Sequence, residues 1–172
     1  MYQVGDKVVY PVHGAGVVEG IESREVAGRE RDYYVLQLPY SGLRLLVPLE
    51  EAEKVGLREI MPLEELGPVL GLLEEGPSQP EEQASRLGDK WNKRQRGELE
   101  AIKSGNVYEL AATVRELGQR DRRRPLAAGE RQLFEQAREI LFSELWLAAD
   151  SVGEKGAETD RLSERIRALL AE

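Results

Sequence analysis

The chain has 172 residues, 41% apolar and 33% charged, a globular composition with room for one average domain or two small ones. It has no cysteine and one histidine, His13, which excludes disulfides, thiolate zinc sites, His-pair metal sites and a Cys–His dyad. The net charge of −8 argues against a polyanion partner for the chain as a whole, but it is uneven: −2 over 1–58, −7 over 59–85, +5 over 86–131 and −4 over 132–172.

Residues 1–58 read as β-structure. Lys7-Val8-Val9-Tyr10 is a short apolar run ended by Pro11, and Gly14-Ala15-Gly16 reads as a turn before Val17–Ile21. A further strand is expected around Glu22–Ala27, before a turn at Gly28. Arg31–Leu38 follows, rich in β-formers, then Leu43–Val47, with Pro48 where no ladder donor is needed. Four or five short strands in about 50 residues predict a small closed sheet of Tudor or SH3 type.

Residues 59–172 read as helical, so the predicted fold is α+β. Pro62 suits a first turn, Leu63, Leu66, Leu70 and Leu73 follow at helical spacing, and Pro68 predicts a kink or a break. Gly76-Pro77-Ser78-Gln79-Pro80 reads as a stop and a linker. Asp89 opens a helix bearing Trp91, Leu99 and Ile102. Asn106 with Glu109 three residues on fits a cap for a helix with Val107, Leu110, Val114 and Leu117 on one face. Arg120–Pro125 reads as a basic connector. Leu133, Ala137, Ile140, Leu141 and Leu145 mark a long amphipathic helix, in which Trp146 is expected to pack. Leu162, Ile166, Leu169 and Leu170 mark a last helix. The expected division is therefore a β-domain over 1–58 and a compact helical domain over 59–172.

No apolar run is long enough to span a bilayer, and the first residues lack a basic start followed by an apolar stretch. No membrane association is expected, and a cytoplasmic location is. Gly14-Ala15-Gly16 and Gly20 would need to open a helix to cradle a dinucleotide, but β-branched residues follow them. No catalytic constellation, metal site or cofactor site is found, so an enzyme is not expected.

The basic block poses the sharpest question. Trp91 sits beside Lys93, Arg94 and Arg96, and Arg120, Arg122, Arg123, Arg124 and Arg131 come later. Guanidinium forks suit phosphate oxygens and give affinity without reading bases. A flat ring at a helix end can wedge between base steps of a distorted duplex. Taken alone, these residues allow equally ordinary readings: a solvated charged face and a core tryptophan, the commoner fate of each.

Val4-Gly5-Asp6-Lys7-Val8-Val9-Tyr10-Pro11 and His13-Gly14-Ala15-Gly16-Val17-Val18 resemble the opening of the CarD/CdnL family. Trp91-Asn92-Lys93-Arg94, Lys103-Ser104-Gly105, Ala112–Leu117 and Ala128-Gly129-Glu130-Arg131 resemble it in order and spacing, over about 1–150. The opening alone is also similar to the polymerase-interacting domain of transcription-repair coupling factors. The resemblance implies a Tudor-like domain that binds the RNA polymerase β subunit, joined to a helical domain that stabilises the promoter open complex. Trp91 would wedge at the upstream edge of the bubble, with Lys93, Arg94, Arg96, Arg120 and Arg131 on DNA. Arg24 and Val26 would present a strand edge to the polymerase, with Arg44 standing in for a basic residue where this chain has Leu46. Gln95 replaces a frequent aromatic and Ala127 a frequent Ser cap. The partners so implied are RNA polymerase and promoter DNA, read with little sequence preference, by a monomer. A polymerase adaptor whose helical domain contacts only protein is the competing reading.

Overall fold

The structure, a computed structural model, describes residues 1–75, 89–151 and 157–171, and the side chains of 1–75, 96–151 and 160–169. Among the described residues, five antiparallel strands precede five α-helices, as the α+β prediction requires. They are β1 (Lys7–Tyr10), β2 (Gly14–Val26), β3 (Arg29–Leu38), β4 (Leu43–Pro48) and β5 (Arg58–Glu59). The sheet order is β4-β3-β2-β1-β5. The helices are α1 (Leu63–Glu74), α2 (Asp89–Ser104), α3 (Val107–Arg123), α4 (Ala128–Asp150) and α5 (Ala157–Ala171).

β1 is buried on both faces, which is why two adjacent valines suit it. Val8 joins Val18, Tyr34, Leu36, Leu38 and Val47 in the β-core, while Val9 turns the other way to meet Ala15 and Leu147 of α4. Gly14-Ala15-Gly16 is not a turn. The chain reverses at Tyr10–His13, where the His13 N–H donates to the Tyr10 carbonyl at 2.9 Å, and Gly14 already pairs with Tyr10. The two strands expected over 17–27 are one continuous strand, β2, interrupted only by a register shift between Val18 and Gly20. β2 and β3 are joined by Ala27 and Gly28, at φ of 52° and 75°, the backbone of a type I′ hairpin turn. β5, two residues pairing with Val8 and Val9, was not foreseen.

α1 runs through Pro68 without breaking. Its buried Leu66, Val69 and Leu70 hold it against the helical core, which offsets the missing backbone donor. Asn106 caps α3 as expected, its Oδ1 accepting from the N–H groups of Tyr108 (3.0 Å) and Glu109 (3.2 Å). Arg120–Arg123 are not a connector but the last turn of α3, where positive charge complements the helix dipole. At the start of α4, Glu130 Oε2 accepts from the Ala127 N–H at 3.3 Å, but alanine has no oxygen to return the bond. α5 packs Ile166 fully into the helical core, with Leu162 and Leu169 beside it.

Candidate functional site

β2 has two environments. Up to Val18 it lies between β1 and β3, and the last bonds to the β1 side are Gly5 N–H to Val18 O (2.8 Å) and Val18 N–H to Asp6 O (2.9 Å). From Glu19 to Val26 it pairs with β3 alone, and among the described residues no strand covers its other side. Alternate N–H and C=O groups there face outward, as on any edge strand. Ile21 and Val26 are about half exposed, at 47% and 48%.

Arg24 lies on this free half, and Arg44 on β4 reaches the same place. Arg24, Glu22, Arg44 and Leu46 share one sheet face through the register Arg24↔Arg31, Glu22↔Tyr33, Gln37↔Arg44 and Val35↔Leu46. Glu22 joins the two arginines: Oε1 accepts from Arg44 Nη2 at 2.7 Å and Oε2 from Arg24 Nη2 at 3.0 Å. The bonds from Arg44 and then Arg24 hold the Glu22 carboxyl below the usual carboxylate range, and Glu22 raises the pKa of Arg44 in return. Both guanidiniums stay half exposed. Leu46 is partly buried, so these four residues comprise one apolar, one anionic and two cationic side chains. Sequence reasoning missed Glu22, because its role depends on a cross-strand register that spacing along the chain does not reveal.

The basic block divides once its partners are known. Arg120 is held between carboxylates, with Nη2 on Glu98 Oε1 and Nη1 on Glu130 Oε1, both at 2.7 Å. Glu98 is 8% and Glu130 14% exposed at the side chain, so this ion-pair hub draws α2, the end of α3 and the start of α4 together. Arg120, one of the residues expected on DNA, is thus engaged by two carboxylates. Arg131 is 45% exposed and bonds Asp121 Oδ1 at 2.7 Å. Arg96, Arg123 and Arg124 are exposed. Trp91, Lys93 and Arg94 belong to α2, but their side chains lie outside the described residues.

Trp146 does not pack as expected. It is 40% exposed, with the Arg167 guanidinium 5.9 Å from the ring centroid, facing Pro39 and Tyr40 of the β3–β4 turn. The inward face of that amphipathic run is carried by Leu141 and Leu145, both fully buried. Among the described residues, no three His, Asp or Glu side chains gather into a group able to hold a metal ion. Among them too, no helix is long and apolar enough to cross a membrane.

Comparison with known proteins covers both halves of the chain. Residues 2–61 match the CarD-like/TRCF RID domain and residues 72–160 match the C-terminal domain of CarD. A candidate transcription factor of Bacillus subtilis strain 168, YdeB, is 31% identical over 84% of this chain and 90% of its own length. The N-terminal domain of Myxococcus xanthus CarD is 32% identical, covering 34% of this chain and 79% of that one, with a TM-score of 0.31. The N-terminal domain of CdnL from the same genus is 46% identical, covering 36% and 86%, also with a TM-score of 0.31.

Proposed function

Because the chain belongs to the CarD family of transcription factors, which act on RNA polymerase, we propose that it docks on the polymerase β subunit through the free half of β2 and stabilises the promoter open complex with the basic end of its helical domain. The observation that carries this reading is the unpaired edge of Glu19–Val26, with Arg24 and Arg44 side by side on Glu22. An incoming strand can pair with such an edge, main-chain bonds supplying affinity and flanking charges supplying register. Arg24, Val26 and Arg44 are the contacts proposed, with Leu46 adding apolar area.

At the other end, Trp91 is the wedge, and Lys93, Arg94, Arg96 and Arg131 contact phosphates. Arg120 holds the surface together from behind rather than touching DNA, since both of its arms are taken by Glu98 and Glu130. Inserting the indole at the upstream fork costs a few kcal/mol of unstacking, offset by contacts to the opened duplex, and slows bubble closure. The chain's acidity makes free DNA a poor ligand, so docking on polymerase supplies the local concentration. The chain works as a monomer in the cytoplasm, where the polymerase is. Its phosphate contacts are salt-sensitive and nearly independent of sequence.

The test compares Trp91→Ala with the unaltered chain on polymerase holoenzyme and a promoter. Affinity for polymerase should be unchanged and the lifetime of the open complex shortened. Equal lifetimes would remove the wedge.

A further inference from the structure

Several of the residues that carry the family resemblance meet at one place, the junction between the sheet and the helices. Arg58 of β5 is at its centre. Its Nη1 and Nη2 donate to Oε1 and Oε2 of Glu144, each at 2.7 Å, its Nε donates to the Gly105 carbonyl at 2.6 Å, and Nη1 also reaches the Glu59 carbonyl at 3.0 Å. Glu144 is 0% exposed, and its Oε1 accepts in addition the Met61 N–H at 2.9 Å. One ion pair thus joins β5, the entry to α1, the α2–α3 turn and α4.

Two further contacts join the same modules. Ser143 Oγ accepts from the Ala15 N–H at 2.8 Å and donates to the Ile140 carbonyl, while Gly14 approaches so closely that a Cβ there would lie 2.7 Å from Ser143 Oγ. Lys7 Nζ donates to the Leu147 carbonyl (3.2 Å), Asp150 Oδ2 (3.3 Å) and Ser151 Oγ (2.9 Å), closing the C-terminal end of α4. The apolar part is small: Val9, Ala15 and Leu147, with Val17 and Ile60 against them.

An apolar contact of that size sets adhesion but not angle, because dispersion and burial have no direction. A bidentate arginine–carboxylate pair does have direction, and a buried one tolerates no half-made geometry, since either ion left alone is strongly penalised. α4 then carries that angle away from the junction. A helix of its 23 residues is about 35 Å long, and its first turn holds Arg131 and the Glu130 arm of the Arg120 hub.

We propose that Arg58 and Glu144 are positioning residues that lock the helical domain at one angle to the β-domain. Docking of β2 then fixes where α2 and the start of α4 arrive on DNA. The lock itself is a property of the free chain; its consequence rests on the function proposed above.

The absence of cysteine makes the test direct. Glu30 on β3 and Glu116 on α3 are exposed and can be changed to cysteine for a unique pair of spin labels. Pulsed electron paramagnetic resonance on the labelled chain should give one narrow distance distribution. Glu144→Gln keeps the side-chain shape but removes the charge, and Arg58→Lys keeps the charge but loses the fork. Both should broaden the distribution or add a second distance, at temperatures where circular dichroism still reports folded helices. Arg58→Lys and Ser143→Ala, the milder changes, serve if Glu144→Gln does not fold. In the polymerase assay without labels, Arg58→Lys should bind polymerase as the unaltered chain does and shorten the open-complex lifetime several-fold. Narrow distributions in every variant overturn the lock. Broad distributions with an unchanged lifetime overturn its positioning role. An unaltered chain that does not lengthen the lifetime overturns the proposed function instead, and the distance measurement still decides the lock.

Discussion

The two halves of β2 are one strand with opposite demands. Gly14–Val18 is covered by β1 and β3 along its edges and by α4 on one face, and its residues are mostly notable for having little side chain. Glu19–Val26 has β3 alone, is largely exposed and carries charge at Glu19, Glu22, Arg24 and Glu25. The register shift between Val18 and Gly20 marks the boundary, and a bulge of this kind adds local twist. The difference separates fold from partner. The first half is packed closely on both sides, and the second is held by β3 and by ion pairs with Arg44 while one edge stays open.

Substitutions can break or sharpen that contrast. The largest effect should come from Gly14→Ala, which meets both a φ of +108° and the 2.7 Å approach to Ser143 Oγ. Strain of this kind costs on the order of 1–3 kcal/mol. Thermal unfolding should therefore fall by several degrees, and adding Ser143→Ala should recover only part of the loss, because the backbone strain remains. An unchanged melting temperature would mean that the first half of β2 is not tightly held.

Arg24→Glu should do the reverse. Its stability should stay within about 0.5 kcal/mol, as for most exposed sites, while capture of the polymerase β subunit is lost. Ala27→Asn, at the tip of the free half, should raise stability by roughly 0.5 kcal/mol, because asparagine accepts the left-handed conformation that alanine resists. Denaturant midpoints would show it, and a lower midpoint would mean the turn is not type I′ in solution.

The smallest effect is on Glu22. The bonds from Arg44 and then Arg24 hold its folded carboxyl below the ordinary glutamate range, so the stability it contributes is present above that range and is lost as pH falls through the lower folded pKa. Carbon-detected titration should show that depressed midpoint. Arg44→Gln should move it upward more than Arg24→Gln does. Equal or absent movement would dissolve the shared clamp.

Much of the fold was legible because it depends on local pattern. Asn106 declared its cap three residues from Glu109, and the apolar spacing of α3 and α4 placed their buried faces correctly. Errors arose where tertiary structure overrode local chemistry. Gly14-Ala15-Gly16 looked like a turn because glycine favours turns, whereas here Gly14 allows α4 to approach and Gly16 makes room for Leu38 of β3. Arg120–Arg123 looked like a connector because charged runs seldom pack, yet Glu98 and Glu130 hold Arg120 in the helix end. Pro68 sits inside a packed helix without breaking it, and Trp146, expected to pack, is left half in solvent. The Arg58–Glu144 pair, 86 residues apart, leaves no trace in spacing at all.

Hydrogen exchange of the whole chain, alone and in a polymerase–promoter open complex, tests the central claim most directly. Amides of Glu19–Val26 and of α2 around Trp91 should both become protected on assembly, with Gly14–Val18 protected throughout. Protection that appears on α2 but leaves Glu19–Val26 exchanging as in the free chain would contradict docking through that edge, and the reverse would contradict a grip on DNA.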